Sequence, residues 1–252
     1  MIILALNCGS SSVKYQLFDW ERKEVVAKGM VERVIIGDSF IMHEVPGRET
    51  YRKEYECPDH QVAIDLIIRT VVDAEQGVLG DINEISAVGH RVVHGGEMFT
   101  RSVLIDEKVL DAVKDVQHLA PLHNPPNIAG IEAAQAVLPH VPHVAIFDTA
   151  FHQTMPEHAY LYPLPYEWYE KYGVRRYGFH GTSHLYVSKR AAVLIGKKLP
   201  RATSSPCISA TGCLTVPSRV VSPSIRAWGS PRLRVPSWGP AAATSTLPSP
   251  RS

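Results

Sequence analysis

Residues 2–19 read IILALNCGSSSVKYQLFD, and their patterning sets the fold class. Ile2–Asn7 is a short apolar run, ended by the turn formers Cys8, Gly9, Ser10, Ser11 and Ser12. The run has no basic leader, so it reads as a strand and not as a secretion signal. Val13–Asp19 then alternates, with Val13, Tyr15 and Leu17 against Lys14, Gln16 and Phe18, which is the period of a half-buried strand. Small residues in the intervening turn let backbone N–H groups approach an anion. The hydroxyls of Ser10, Ser11 and Ser12 add donors, and Lys14 supplies a point charge. The pattern is not a Walker A motif, and no helix follows it, so the hairpin itself would face a phosphate. An ordinary hairpin loop is the competing reading.

Outward from this hairpin, residues 25–34, 39–45 and 50–57 are β-compatible, with breaks at Gly37-Asp38 and Pro46-Gly47. Residues 59–75 switch to a helical period, carrying Val62, Ala63, Leu66, Ile67, Val71 and Val72 on one broad face. A strand is expected over 85–93, a helix over 107–119, and a helix to Val137 that Asn124 caps ahead of Pro125 and Pro126. A strand over 143–147 and helices over 166–172 and 183–197 complete the pattern. A strand meander followed by alternating strands and helices predicts an α/β fold, a mixed sheet with flanking helices.

Composition narrows the function classes. The 252 residues carry 26 Lys+Arg against 25 Asp+Glu, a balance that argues against a dedicated nucleic-acid binder. No apolar run approaches the ~20 residues that cross a bilayer. Four cysteines (Cys8, Cys57, Cys207, Cys213) make no dense framework, so a reducing cytoplasm is the expected compartment. The balance is uneven along the chain. All acids lie in residues 1–198, which stand at −5, whereas residues 199–252 hold six arginines and no Asp, Glu or Lys. That tail also holds nine prolines and eleven serines, follows neither helical nor strand period, and is expected to be disordered.

Three further segments carry candidate chemistry. In GHRVVHGGE, Arg91 ends an apolar strand beside Gly95 and Gly96, and its planar fork matches a carboxylate or phosphate. An arginine paired to a structural acid is the plain alternative. His90 and His94 read as packing groups or as supports behind the site rather than as metal ligands, because the helical HxxxH context is absent. Asp148 follows the apolar strand 143–147, at the end where open α/β sheets bind ligands; a capping role is equally open. His180, with Phe179, stands between Gly178 and Gly181, just before a helix capped by Thr182 or Ser183, where it could donate to an anionic group in transfer. Together these are parts for moving a phosphoryl group onto a small carboxylate, a reaction that demands mainly positioning and charge neutralisation.

Over residues 2–198 the segments LNCGSSSVKY, GHRVVHGGE, APLHNPPN, FDTAFHQTMP and YGFHGTSHLYVSKRAA, in that order, resemble the acetate kinase family. The resemblance implies the class of sugar kinases, Hsp70 and actin, built from ribonuclease-H-like domains. It divides the chain into an N-terminal domain over 1–150, the start of a truncated second domain over 151–198, and an aberrant tail over 199–252. It implies reversible transfer between ATP and acetate, giving ADP and acetyl phosphate, with Mg²⁺ or Mn²⁺ as cofactor and a cytoplasmic homodimer as the working form. Propionate or butyrate kinase is the alternative substrate reading. By the same resemblance Asn7 helps place the metal, and Lys14 with Ser10, Ser11 and Ser12 contacts nucleotide phosphate. Arg91 holds the acyl substrate, with Val93, Leu122 and Phe179 lining a small methyl pocket. Asp148 is the catalytic carboxylate, and His180 stabilises the transferring group. Neither nucleic acid nor membrane is an expected partner.

The family continues past the likeness with a second phosphate loop, another arginine and a glutamate. The codons of residues 207–212 and 237–247, read in a shifted frame, can spell two of those segments. The tail is therefore expected to be a frameshifted sequence, and this chain alone to be inactive.

Overall fold

The computed structural model describes residues 1–196 and four short strands beyond them. The sequence 2–19 forms the expected hairpin. Ile2–Cys8 (β1) and Ser12–Asp19 (β2) pair antiparallel from Ile2 opposite Asp19 to Cys8 opposite Val13. Glu24–Glu32 (β3), Phe40–Glu44 (β4) and Tyr51–Glu54 (β5) extend this meander antiparallel. On the other side of β1 the sheet turns parallel. Ile85–Val92 (β6) runs alongside β1, and His143–Phe147 (β8) alongside β6. Val103–Leu104 (β7) closes the edge antiparallel to β8, giving eight strands in the order β5-β4-β3-β2-β1-β6-β8-β7. The mixed sheet expected from the sequence is thus present; β7 is too short to leave a periodic signature.

Period-2 alternation decides which side is covered. Leu4, Leu6, Cys8, Val13, Tyr15 and Leu17 are buried on one face, with Ala27, Val31 and Ile41 beside them. Against that face pack the helices His60–Val71 (α1) and Asn124–Val137 (α3), α1 contributing Ala63, Ile64 and Ile67. A second cluster of Val92, Val113, Ile128, Ile131, Ala145 and Phe147 joins β6 and β8 to Glu107–Asp115 (α2) and α3. Phe99 stacks on Phe147 there at 4.3 Å. Glu157–Tyr160 (α4), Tyr166–Tyr172 (α5) and Gly181–Leu194 (α6) follow β8.

Several boundaries depart from the sequence expectation, each for a local reason. The helix expected over 59–75 stops at Val71, because the Asp73 carboxylate accepts the N–H groups of Glu75 and Gln76 in a competing turn. The helix expected over 107–119 is α-helical only to Asp115 and finishes as a 3-10 turn over Val116–Leu119. Asn124 does not cap α3; its side chain is fully buried and bonded to the backbone of His94. Helix α6 starts at Gly181, with His180 rather than Thr182 or Ser183 at the capping position.

Within the tail, Thr203–Ser204 (β9) pairs with Ser218–Arg219 (β12), and Cys207–Ser209 (β10) with Cys213–Thr215 (β11), both antiparallel. These strands stand where composition led us to expect no regular structure. The rest of 199–252, including the segment 237–247 singled out above, lies outside the described residues. Among the described residues no helix is long and apolar enough to cross a membrane.

Candidate active site

The parallel strands β1, β6 and β8 bring three carboxyl ends together, the edge at which open α/β sheets bind ligands. Leu6 stands opposite His90, and Arg91 opposite Ile146. Alternation then turns Asn7, Arg91 and Asp148 towards the face that α1 and α3 leave uncovered. Lys14, exposed and opposite Asn7 on β2, shares that face.

Arg91 and Asp148 meet there. The guanidinium donates from Nη2 to Asp148 Oδ2 at 2.6 Å and from Nε to Oδ1 at 3.1 Å, a bidentate pair. The Asp148 hydrogen bond, more than its charge, holds the Arg91 proton still more firmly than usual. Arg91 therefore does pair with an acid, as the plain alternative had it, but the acid is the strand-end aspartate expected to do chemistry. Nη2 also lies 3.3 Å from His180 Nδ1, which must then accept, leaving the imidazole proton on Nε2. The Asp148 side chain is 3% exposed and that of Arg91 34%. Arg91 Nη1 has no hydrogen-bond partner among the described residues and can receive an incoming oxyanion.

His180 reaches this position through a strained turn. It adopts φ 52°, ψ 31°, a left-handed conformation that costs a residue with a Cβ about 1–2 kcal/mol. Its glycines explain the turn. A Cβ at Gly178 would stand 2.2 Å from the His152 ring, and one at Gly181 2.4 Å from the Asp148 carbonyl oxygen. That carbonyl accepts the Gly181 N–H at 2.9 Å, so the start of α6 is bolted to the residue that carries the carboxylate.

The loop after β6 is equally fixed. Gly95 donates to Thr149 Oγ1, and Gln153 Nε2 donates to Gly96 O at 2.7 Å. Glu97 pairs with Arg175, which is sandwiched against Tyr160 and Tyr177. His94 is buried, stands edge-on to Phe179 at 5.6 Å, and is pushed down to about 4 by burial, with His118 and Arg175 adding to it. His90 donates to His143 within the core. Both histidines are packing groups.

The hairpin has its own supports. His60 Nε2 donates to Gly9 O at 2.7 Å, and Val34 N–H donates to Ser11 O at 3.0 Å. Two carbonyls are thus engaged on the scaffold side, and the Gly9 N–H closes the turn on the Ser12 carbonyl at 2.8 Å, which leaves the serine hydroxyls as the donors the turn can offer. No side-chain bond links Ser10, Ser11, Ser12 or Lys14 to the Arg91 cluster among the described residues.

The structure thus joins Arg91, Asp148 and His180 in one cluster and sets Asn7 and Lys14 on the adjoining strand ends. It does not gather Val93, Leu122 and Phe179 into either buried apolar cluster, and Leu122 is 76% exposed. Sequence reasoning missed Asn127, Glu97 and Arg175. Asn124 and Asn127, three apart at a helix start, had a legible signal in their shared face. Glu97 and Arg175, 78 residues apart, had none.

The model of the acetokinase family matches residues 2–207. The chain is 98% identical over 197 residues to the acetate kinase of Geobacter sulfurreducens, covering 78% of this chain and 47% of that protein. A crystal structure of Porphyromonas gingivalis acetate kinase matches with a TM-score of 0.83 at 43% identity, over 88% of this chain and 55% of that one. A propionate kinase from Francisella tularensis matches with a TM-score of 0.80 at 36% identity, over the same shares. The chain spans about half the length of the curated relatives it matches. With the family model aligned across most of its length, including every element that builds the Arg91 cluster, this chain belongs to the acetokinase family.

Proposed function

We propose that this chain carries the acyl-phosphate side of an acetate kinase, which transfers a phosphoryl group reversibly between ATP and acetate. The observation that carries the reading is the Arg91 guanidinium bound at once to Asp148 and His180. It puts a fork for an anionic oxygen, a carboxylate and an imidazole within one hydrogen-bond network. Arg91 would bind acetate or acetyl phosphate through its outward edge. His180, with Nδ1 directed at Arg91, would offer its Nε2 proton to a phosphoryl oxygen. An acetate oxygen then attacks the terminal phosphorus as the bond to ADP breaks. The Gly9–Ser12 turn and Lys14 would take nucleotide phosphate, and Val93, Leu122 and Phe179 the acyl methyl.

The donor set suits Mg²⁺ only in a substrate-borne form. Among the described residues no three His, Cys, Asp or Glu side chains form a metal-binding group, and both Asp148 oxygens accept from Arg91. Mg²⁺ is commonly held by one or two protein oxygens with phosphates and water. Asn7 and Asp148 would supply those oxygens, and the ion would neutralise phosphate charge.

On this reading residues 1–150 form one ribonuclease-H-like domain and 151–198 open a second, in a cytoplasmic protein whose full-length form is a homodimer. The likeness to a propionate kinase keeps that acyl chain as the second reading. A hydroxamate assay with acetate, propionate and butyrate tests both. Because the match covers only half of each relative, turnover by this chain should fall far below that of a full-length enzyme. Any turnover should drop at least a hundredfold in Asp148→Asn and His180→Ala. Activity unchanged in both variants would refute the assignment.

A further inference from the structure

The segment Ala120–Asn127 has no part in the chemistry just described, apart from the exposed Leu122, yet two of its side chains are among the most buried polar groups of the protein. Asn124 is 0% and Asn127 4% exposed. Lying three apart at the start of α3, they share one helix face. Asn127 accepts the Val93 N–H at Oδ1 (3.0 Å) and donates from Nδ2 to the Cys8 carbonyl (2.6 Å). Asn124 likewise accepts the His94 N–H (3.1 Å) and donates to the His94 carbonyl (2.9 Å).

The partners give these bonds their meaning. Cys8 is the last residue of β1, immediately before the phosphate hairpin, and Val93 lies two residues past Arg91. The parallel ladder between the two strands ends at Leu6 opposite His90. Beyond it, the Asn127 amide supplies the acceptor and donor that a backbone peptide would have offered, and so acts as a side-chain rung.

We propose that Asn127 is a positioning residue that fixes the separation between the Gly9–Ser12 hairpin and Arg91, so that the site takes a ligand carrying a phosphoryl group and an acyl oxygen together. Asn124 holds the adjoining turn. This rests on the reading of the hairpin as the site of the terminal nucleotide phosphate, the same phosphoryl group that acetyl phosphate carries after transfer, and of Arg91 as an acyl-oxygen site. A side chain that merely satisfied buried backbone groups would affect every ligand alike, or none.

The test measures binding of three probes to the full chain by titration calorimetry: acetate, inorganic phosphate and acetyl phosphate. In Asn127→Leu the dissociation constants of acetate and phosphate should stay within twofold, and that of acetyl phosphate should rise at least tenfold, since only the bridging ligand senses the spacing. Asn127→Ser, whose hydroxyl is too short to reach both partners, should behave alike and carries the test if the leucine variant does not fold. Equal weakening of all three probes, or of none, would overturn the proposal. If the parent chain binds no probe, the functional reading fails instead, and amide exchange decides the rung. Val93 should then exchange at least tenfold faster in the variant with Leu6 unchanged, and an unaltered Val93 rate would overturn it.

Discussion

At the scale of single residues, the two halves of the Arg91–Asp148 pair are not equivalent. The Asp148 carboxylate is enclosed, with 3% of its side chain exposed, whereas the Arg91 side chain keeps 34%. Removing the partner of an enclosed charge leaves it without compensation, at a cost of roughly 3–5 kcal/mol. Removing the carboxylate leaves a guanidinium that water already reaches, and the cost is smaller. Arg91→Ala should therefore lower the urea midpoint more than Asp148→Ala, and calorimetric melting of the two variants checks the order. The reverse order would mean that the two side chains do not form the enclosed pair seen here. The same burial explains why sequence could name both residues but not their union. Arg91 near the end of β6 and Asp148 just after β8 were legible as candidates for the strand-end edge, but a contact across 57 residues leaves no local trace. His180 was legible through its flanking glycines, although its left-handed backbone was not.

At the scale of elements, helix α3 is set by one close approach. A Cβ at Gly130 would lie 2.2 Å from Cys8 Sγ and 2.8 Å from Cys8 Cβ. Inside a helix, Gly→Ala ordinarily gains up to ~1 kcal/mol through propensity. Here overpacking against β1, typically about 1–3 kcal/mol, outweighs that gain. Gly130→Ala should destabilise the protein, and Cys8→Ala added to it should recover part of the loss, because the sulfur is removed and the Cβ remains. A double-mutant cycle from urea unfolding measures this coupling. Additive effects would mean that α3 shifts freely off the sheet. Elements such as α1 and β2 were readable because one face of each is apolar at the proper period. What stayed hidden was set by tertiary partners. Asn124 has the composition of a cap, but the backbone of His94 captures its amide, and the two-residue β7 exists only through pairing with β8.

At the scale of the whole molecule, the unusual feature is how many histidines are buried and neutral. Burial, chiefly, pushes His90 down to about 3, and His94 and His152 down to about 4. His43, His143 and His184 are lowered in the same direction and mainly by the same cause. The His90–His143 pair shows why a proton is unwelcome. His143 Nε2 donates to the Leu138 carbonyl, so its Nδ1 must accept from His90 Nε2. A second proton on His143 would set two donors against each other. In the unfolded chain each histidine titrates near its ordinary value of ~6.5. Between about pH 4 and 6.5 the unfolded state therefore binds more protons than the folded one, and stability rises with pH across that window. It is complete above ~6.5 and is lost as pH falls towards 4. With His90, His94 and His152 alone, unfolding at pH 5 takes up roughly two to three protons, a slope of about 3–4 kcal/mol per pH unit. Against a total stability of ~5–15 kcal/mol, that slope removes a large share of the stability by pH 5. Urea midpoints taken at pH 7, 6 and 5 should therefore fall steeply, with most of the loss below pH 6. A midpoint that stayed level from pH 7 to 5 would show that these imidazoles are reached by water in the folded state, and would contradict the packed core drawn around β6 and β8.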